Sequence, residues 1–146
     1  MNYGKPPKTG WAPLAPEILV ADIDASLAFW IDILGFCVAY ARPAEKFAYL
    51  ERPEGAQVML CQRSGKWETG PLEAPFGRGV MFQVRMDDPA SVLAALERKG
   101  LRPYVGPREV WRNVGDRQLG MREVFVQDPD GYLIMMASVI GERSLS

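Results

Sequence analysis

The feature that most constrains the fold of this chain is an internal repeat with an offset of 65 residues. Seven positions of the first copy recur as identical or similar residues: Asp22, Ala25, Ser26, Leu27, Ile31, Gly35 and Phe36 correspond to Asp87, Ala90, Ser91, Val92, Leu96, Gly100 and Leu101. A repeat of this length is typical of a duplicated supersecondary unit. We therefore expect one small α+β unit to occur twice.

Each copy carries the signals of one helix. In the first copy Asp22 or Asp24 can cap a helix that ends at Gly35, where a residue without Cβ tolerates positive φ. In the second copy the helix is predicted to begin at 88–89, an Asp-Pro pair, and to end at Gly100. Apolar residues recur at helical spacing between these limits.

Short apolar runs on either side of the helices predict the order βαβββ in each copy. The predicted strands are Glu17–Val20, Phe36–Ala41, Phe47–Glu51 and Gln57–Cys61 in the first copy, and Gly79–Arg85, Leu101–Pro107, Arg122–Gln127 and Tyr132–Ser138 in the second. Residues 128–131, Asp-Pro-Asp-Gly, are predicted to form a hairpin turn. Residues 108–120 are interpreted as an additional loop.

These elements predict one domain over residues 14–138. Within it, residues 14–61 form the first module, 62–78 a Gly/Pro-rich linker and 79–138 the second module. Residues 1–13 are interpreted as an N-terminal arm and 139–146 as a C-terminal tail.

The charge distribution narrows the possible partners. The chain has 17 basic and 18 acidic residues, a net charge of −1, and no block of like charge, so nothing favours nucleic-acid binding. No apolar run approaches the length of a membrane span, and residues 1–10 do not form a secretion signal. We expect a cytoplasmic protein that binds neither nucleic acid nor membrane.

The chain contains no histidine, which excludes a Ser-His-Asp triad and an HExxH zinc motif. Its two cysteines, Cys37 and Cys61, lie in apolar runs and are interpreted as small buried hydrophobic residues without a disulfide. No histidine is present to act as base for a cysteine nucleophile. We therefore predict no catalytic residue.

Strand alternation predicts which side chains point away from the helices. The set is mostly apolar and polarizable, and comprises Glu17, Leu19, Phe47, Tyr49, Met59, Cys61, Met81, Gln83 and Met135. Such a surface suits an organic molecule with flat or aromatic parts better than a metal ion.

Two segments resemble the glyoxalase and bleomycin-resistance superfamily, also called vicinal oxygen chelate proteins. They are residues 19–30 with 34–36, and residues 122–132, which read Arg-Glu-Val-Phe-Val-Gln-Asp-Pro-Asp-Gly-Tyr. The resemblance implies two βαβββ modules that form a concave cleft. It carries the metal-ligand positions of the family onto Ala15, Met59, Gly79 and Met135, and none of these is His, Glu or Asp.

The metal-free branch that this departure resembles is the bleomycin-resistance proteins, which implies a homodimer, no metal, no cofactor and a small organic ligand such as a glycopeptide antibiotic. In this branch a Trp often precedes the Arg-Glu pair, but here Leu119-Gly120 stands there, and Trp111 or Trp67 is a candidate replacement. The predicted ligand contacts are Tyr40, Phe47, Tyr49, Met59, Cys61, Met81, Gln83, Trp111 and Met135.

Two alternatives remain open from the sequence. One is an enzyme of the same superfamily with an absent or atypical metal site, in which Glu17, Glu51 or a tyrosine acts as general base. The other is a scaffold that has lost its ligand and presents its surface to a protein partner.

Overall fold

The computed structural model describes residues 3–145, which divide into two units. The first unit comprises the described residues up to Gly79 together with Asp128–Tyr132, and the second comprises Val80–Gln127 and the residues from Leu133 onward. The elements in chain order are β1 (Glu17–Val20), α1 (Ile23–Asp32), β2 (Cys37–Arg42), β3 (Phe47–Glu51), β4 (Gln57–Gln62), β5 (Met81–Arg85), α2 (Ala90–Arg98), β6 (Val105–Val114), β7 (Arg117–Gln127) and β8 (Leu133–Ser144).

The first unit is a four-stranded sheet in the order β1-β4-β3-β2 with α1 against it. Asp22 caps α1 as predicted, because its carboxylate accepts hydrogen bonds from the backbone N–H groups of Asp24 and Ala25. The buried side chains of the unit include Trp30 at 1% exposure and Leu50 at 0%. Trp30 therefore lies on the core face of the helix.

The second unit repeats this topology in the order β5-β8-β7-β6, with β5 and β8 parallel. Helix α2 buries Val92 and Leu96, and one face of the sheet is fully buried at Val124, Ile134 and Met136. The prediction of an α+β chain with two βαβββ modules is therefore confirmed. Among residues 3–145, no helix combines the length and apolar character needed to cross a bilayer.

The interpretation of residues 108–120 as a loop is wrong. Strand β6 runs to Val114 and β7 begins at Arg117, so this segment is a long hairpin whose turn contains Gly115 in the left-handed region at φ 60°. Strand β8 continues beyond the predicted end at Ser138 and pairs with the β7 extension as far as Ser144. The backbone groups of these residues are paired within the sheet, which explains why they extend as strands.

The predicted turn at residues 128–131 is present and contributes to the first unit. Asp128 accepts hydrogen bonds from the backbone N–H groups of Asp130 and Tyr132, and Gly131 has φ 85°. The carboxylate of Asp130 accepts hydrogen bonds from the N–H of Ala21 and the hydroxyl of Ser26. Asp128 therefore fixes the shape of the turn, and Asp130 holds it against the start of α1.

Candidate functional site

The N-terminal arm covers part of the non-helical face of the first sheet. Residues 3–5 extend the edge of β2 through backbone hydrogen bonds, among them the bond from Lys5 N to Ala39 O at 3.0 Å. Further along the arm, Lys8 N donates to both carboxylate oxygens of the buried Glu51, at 3.0 and 2.9 Å. Glu51 is thus occupied by backbone contacts, which does not favour its use as a general base.

The same arm is fixed by Gln57 and Trp11. The Gln57 side chain donates to Gly10 O at 2.5 Å and accepts from Ala12 N at 3.0 Å. Trp11 packs edge-on against Tyr40 and Tyr49 at ring-centroid distances of 6.0 and 5.4 Å, and the two tyrosines stack at 5.1 Å. Burial raises the pKa of Tyr49, so its phenol stays protonated. In this unit the two tyrosines contact the arm.

A cavity of about 670 Å³ remains at the other end of this face, and we call it the first-unit cavity. Phe47 and Cys61 lie on its wall as expected, but four cationic side chains and two carboxylates make it more polar than the sequence suggested. Burial raises the pKa of the Cys61 thiol, which leaves it a poor nucleophile at neutral pH. Its lining residues with charge are Glu17, Arg42, Glu45, Lys46, Arg63 and Lys66.

The second unit contains a separate cavity of about 400 Å³ on the face of its sheet opposite to Val124, Ile134 and Met136, and we call it the second-unit cavity. Met121, Phe125, Met135 and Ala137 form a buried apolar cluster on this face. The complete lining is Met81, Gln83, Arg85, Arg108, Arg112, Val114, Leu119, Met121, Phe125 and Met135.

The buried carboxylate of Glu123 binds two of the arginines that line this cavity. Glu123 on β7 is 0% exposed and accepts hydrogen bonds from Arg112 Nη2 at 3.0 Å and Arg108 Nε at 3.2 Å, and its second oxygen accepts from Arg112 Nη1. The hydrogen bonds to Arg112, assisted by Arg108, hold the pKa of Glu123 below its ordinary value even though burial opposes this. Glu123 is therefore ionised at neutral pH, and it forms ion pairs with Arg108 and Arg112.

Trp111 lies in strand β6 rather than in a loop, and its side chain points away from the second-unit cavity. Its cross-strand partner is Gly120, where an added Cβ would lie 2.7 Å from the indole ring. The guanidinium carbon of Arg143 lies 4.2 Å from the ring centroid. Because Arg112 lines the cavity and strand neighbours face opposite sides, Trp111 is a packing residue of the other face.

The nine predicted ligand contacts thus divide into separate groups. Phe47 and Cys61 line the first-unit cavity, whereas Met81, Gln83 and Met135 line the second. Tyr40 and Tyr49 pack with Trp11, Met59 lines neither cavity, and Trp111 faces away. The sequence interpretation missed Arg85, Arg108, Arg112, Met121 and Phe125. The alternation Arg108, Val110, Arg112, Val114 was the signal available for the two arginines of β6.

The residues at the positions that correspond to the metal ligands of the resembled family do not fit a metal centre. Met135 is 3% exposed within the apolar cluster, and Met59 pairs across the sheet with Glu17. Thioethers are poor ligands for the divalent ions that prefer imidazole and carboxylate. Over residues 3–145, no three His, Cys, Asp or Glu side chains are grouped closely enough to hold a metal ion.

Most of the chain matches a known protein family. The family described as Glyoxalase/Bleomycin resistance protein/Dioxygenase superfamily matches residues 13–136. A virulence protein from Salmonella typhimurium is 20% identical with a TM-score of 0.63, over 86% of this chain and 94% of that one. A glyoxalase/dioxygenase from Nostoc punctiforme is 20% identical with a TM-score of 0.61, over 87% and 90%.

A superfamily member from Vibrio splendidus is 32% identical over 85% of this chain and 95% of that one, with a TM-score of 0.36. No curated protein matches the chain. The Salmonella and Nostoc structures share the fold described above.

Proposed function

Because the chain belongs to the glyoxalase/bleomycin resistance protein/dioxygenase superfamily, we propose that it binds and sequesters a small organic molecule without using a metal ion. The mechanism is burial of an apolar ligand surface, with a few polar groups that fix its orientation. Such binding protects in proportion to the amount of protein and involves no turnover.

The observation that carries this proposal is the environment of Met135. This position corresponds to a metal ligand of the superfamily enzymes, yet here its thioether packs with Met121 and Phe125 on the floor of the second-unit cavity. The cavity volume of about 400 Å³ lies within the range of small-molecule sites, roughly 300–1,000 Å³. Polarizable methionines adapt to the irregular outline of a ligand and make favourable contacts with aromatic rings.

Within this class, the resemblance to bleomycin-resistance proteins implies an antibiotic-type ligand and a homodimer. Bleomycin-type glycopeptides are therefore the first ligands to test. A net charge of −1 gives little long-range attraction for a cationic drug, so contacts in a cavity would have to supply most of the affinity.

Titration of the protein with bleomycin, followed by tryptophan fluorescence and by mass spectrometry of the recovered ligand, tests this proposal. We expect saturation at a fixed molar ratio and recovery of the ligand unchanged. For a ligand held in the second-unit cavity, Met81→Ala should weaken binding, whereas the matched control Leu101→Ala should not, since both side chains are 47% exposed and only Met81 lines the cavity. Conversion of the ligand, or a requirement for metal, would contradict sequestration.

A further inference from the structure

The charge on the walls of the second-unit cavity is unexpected for a chain with a net charge of −1. Its lining includes three arginines, Arg85, Arg108 and Arg112, and no Asp or Glu. The carboxylate of Glu123, which lies beside this lining, is covered by the arginines that it binds. One carboxylate against three guanidinium groups leaves an excess of positive charge facing the cavity.

The hydrogen-bonding capacity of these arginines is only partly used. Each guanidinium has five N–H donors. Arg108, which lines the cavity, contacts Glu123 through Nε alone, so within residues 3–145 its terminal nitrogens make no hydrogen bond. Among residues 3–145, the Arg85 guanidinium has no hydrogen-bond or ion-pair partner, although its side chain lines the cavity and is exposed. Planar guanidinium groups match carboxylates in a two-pronged geometry.

Glu123 restricts the orientation of the two arginines on β6. Arg112 binds both carboxylate oxygens through its two terminal nitrogens, and Arg108 adds a third contact. The guanidinium carbon of Arg108 also lies 4.9 Å from the ring centroid of Phe125. An arginine that is held in place loses less conformational entropy when it binds a ligand.

The remainder of the lining is apolar and polarizable. Met81, Met121, Met135 and Phe125 surround the space between the arginines, together with Leu119 and Val114. Methionine sulfur contacts aromatic rings favourably, and Gln83 is already directed toward Met121 Sδ at 3.9 Å. A ligand for this cavity therefore needs an apolar, flat body and an anionic group at one side.

We propose that the second-unit cavity binds a small aromatic anion, whose carboxylate or similar group contacts Arg85 and Arg108 while its ring lies against the methionines and Phe125. This inference rests on the proposed binding function and specifies the ligand class of that cavity. It also implies that cationic molecules of the same size bind poorly.

Three matched probes test the ligand class by isothermal titration calorimetry: 2-naphthoate, 2-naphthamide and 2-naphthylmethylammonium. We expect 2-naphthoate to bind at least about tenfold more tightly than the other two, because only its charge complements the arginines. Added salt should weaken this preference. Equal affinity for the amide, or tighter binding of the ammonium compound, would overturn the proposal.

The location is tested with ¹³C-methyl-labelled methionine. Addition of 2-naphthoate should shift the NMR signals of Met81, Met121 and Met135, whereas Met86, which does not line the cavity, serves as the internal control. Arg85→Gln should reduce affinity for 2-naphthoate about tenfold and leave affinity for 2-naphthamide unchanged. The matched control is Arg98→Gln on α2, an exposed arginine away from the cavity.

The two proposals fail in different ways. If the neutral or cationic probe binds and shifts the same methionine signals, the ligand class is wrong while the binding function remains supported. Methionine shifts elsewhere would place the ligand outside this cavity and overturn the inference. If none of the three probes and no glycopeptide binds, both proposals are contradicted.

Discussion

The indole Nε1 of Trp30 donates a hydrogen bond of 3.1 Å to Oδ2 of Asp128, although the two residues are 98 positions apart in the chain. Both side chains are buried. The bond joins α1 to the turn at residues 128–132 within the first unit. Through this bond the carboxylate of Asp128 fixes the turn to α1.

The free energy of unfolding should decrease with rising pH as the carboxyl group of Asp128 loses its proton. Burial raises its pKa from 3.8 to about 6, while hydrogen bonds from Trp30 and Tyr132 oppose the change. The folded protein then retains a proton that the unfolded chain has lost, so the stabilising contribution is full below pH 3.8 and is lost as pH rises through about 6.

Denaturant unfolding of the wild type and Asp128→Asn at several pH values measures this contribution. The stability of the wild type relative to the variant should fall by up to about 3 kcal/mol between pH 4 and pH 7. If the difference in unfolding free energy between the wild type and the variant is constant, or grows toward neutral pH, then protonated Asp128 is not the form that stabilises the fold.

Glu123 should show the opposite pH dependence. Because its pKa is lowered, chiefly by the hydrogen bonds to Arg112, its contribution is present at neutral pH and is lost as pH falls below the ordinary value of 4.5. Glu123→Gln should cost about 1–3 kcal/mol at neutral pH. This cost stays below that of a fully buried pair, since the side chains of Arg108 and Arg112 are 45% exposed.

Thermal or denaturant unfolding of Glu123→Gln checks this expectation. The difference from the wild type should shrink as pH is lowered toward 3. If the variant is as stable as the wild type at pH 7, the ion pairs of Glu123 only offset the cost of burying its carboxylate, and the expectation is wrong.

Gly120 is required by the position of Trp111. A Cβ at residue 120 would lie 2.7 Å from three atoms of the indole ring, so Gly120→Ala should displace Trp111 and destabilise the protein by about 1–3 kcal/mol. The control is Gly70→Ala, because a Cβ there meets nothing within 4 Å. Differential scanning calorimetry should give a lowered Tm for the first variant alone, and equal Tm values would disprove the packing argument.

The N-terminal arm should detach when Gln57 is replaced. Gln57→Ala removes the contacts to Gly10, Ala12 and Tyr49, and a lost set of part-buried hydrogen bonds costs about 1–3 kcal/mol. Trypsin should then cleave after Lys8 at least about fivefold faster than in the wild type, as followed by mass spectrometry. Gln118→Ala, a surface change on β7, should leave the cleavage rate unaltered, and equal rates in all three proteins would refute the anchoring role.

Local patterns predicted the elements of the first unit well. Strand β3 has the predicted bounds. Asp22 caps α1, and this cap was predictable because it depends on one side chain next to its own helix. The hairpin of β6 and β7 was not predicted, since residues 108–120 have no counterpart in the first copy of the repeat and were interpreted as a loop. Pairing of β6 with β7, and of β7 with β8, stabilises these segments as strands.

The candidate site was less predictable than the fold. Alternation correctly placed Phe47 and Met135 on the faces opposite to the helices. It could not indicate that Trp11 packs on Tyr40, because this depends on where the arm docks. The sequence did not indicate that Arg108 and Arg112 line the cavity. Strand alternation assigns no face of a sheet to residues that are interpreted as part of a loop.

The most direct test of metal-independent sequestration is calorimetric titration of the protein with its tightest-binding ligand, once in excess EDTA and once after loading with Mn²⁺, Ni²⁺ or Zn²⁺. We expect dissociation constants that are equal within about twofold in all conditions, with the ligand recovered unchanged. Binding that disappears in EDTA, or a ligand that is converted when the metal is present, would contradict it.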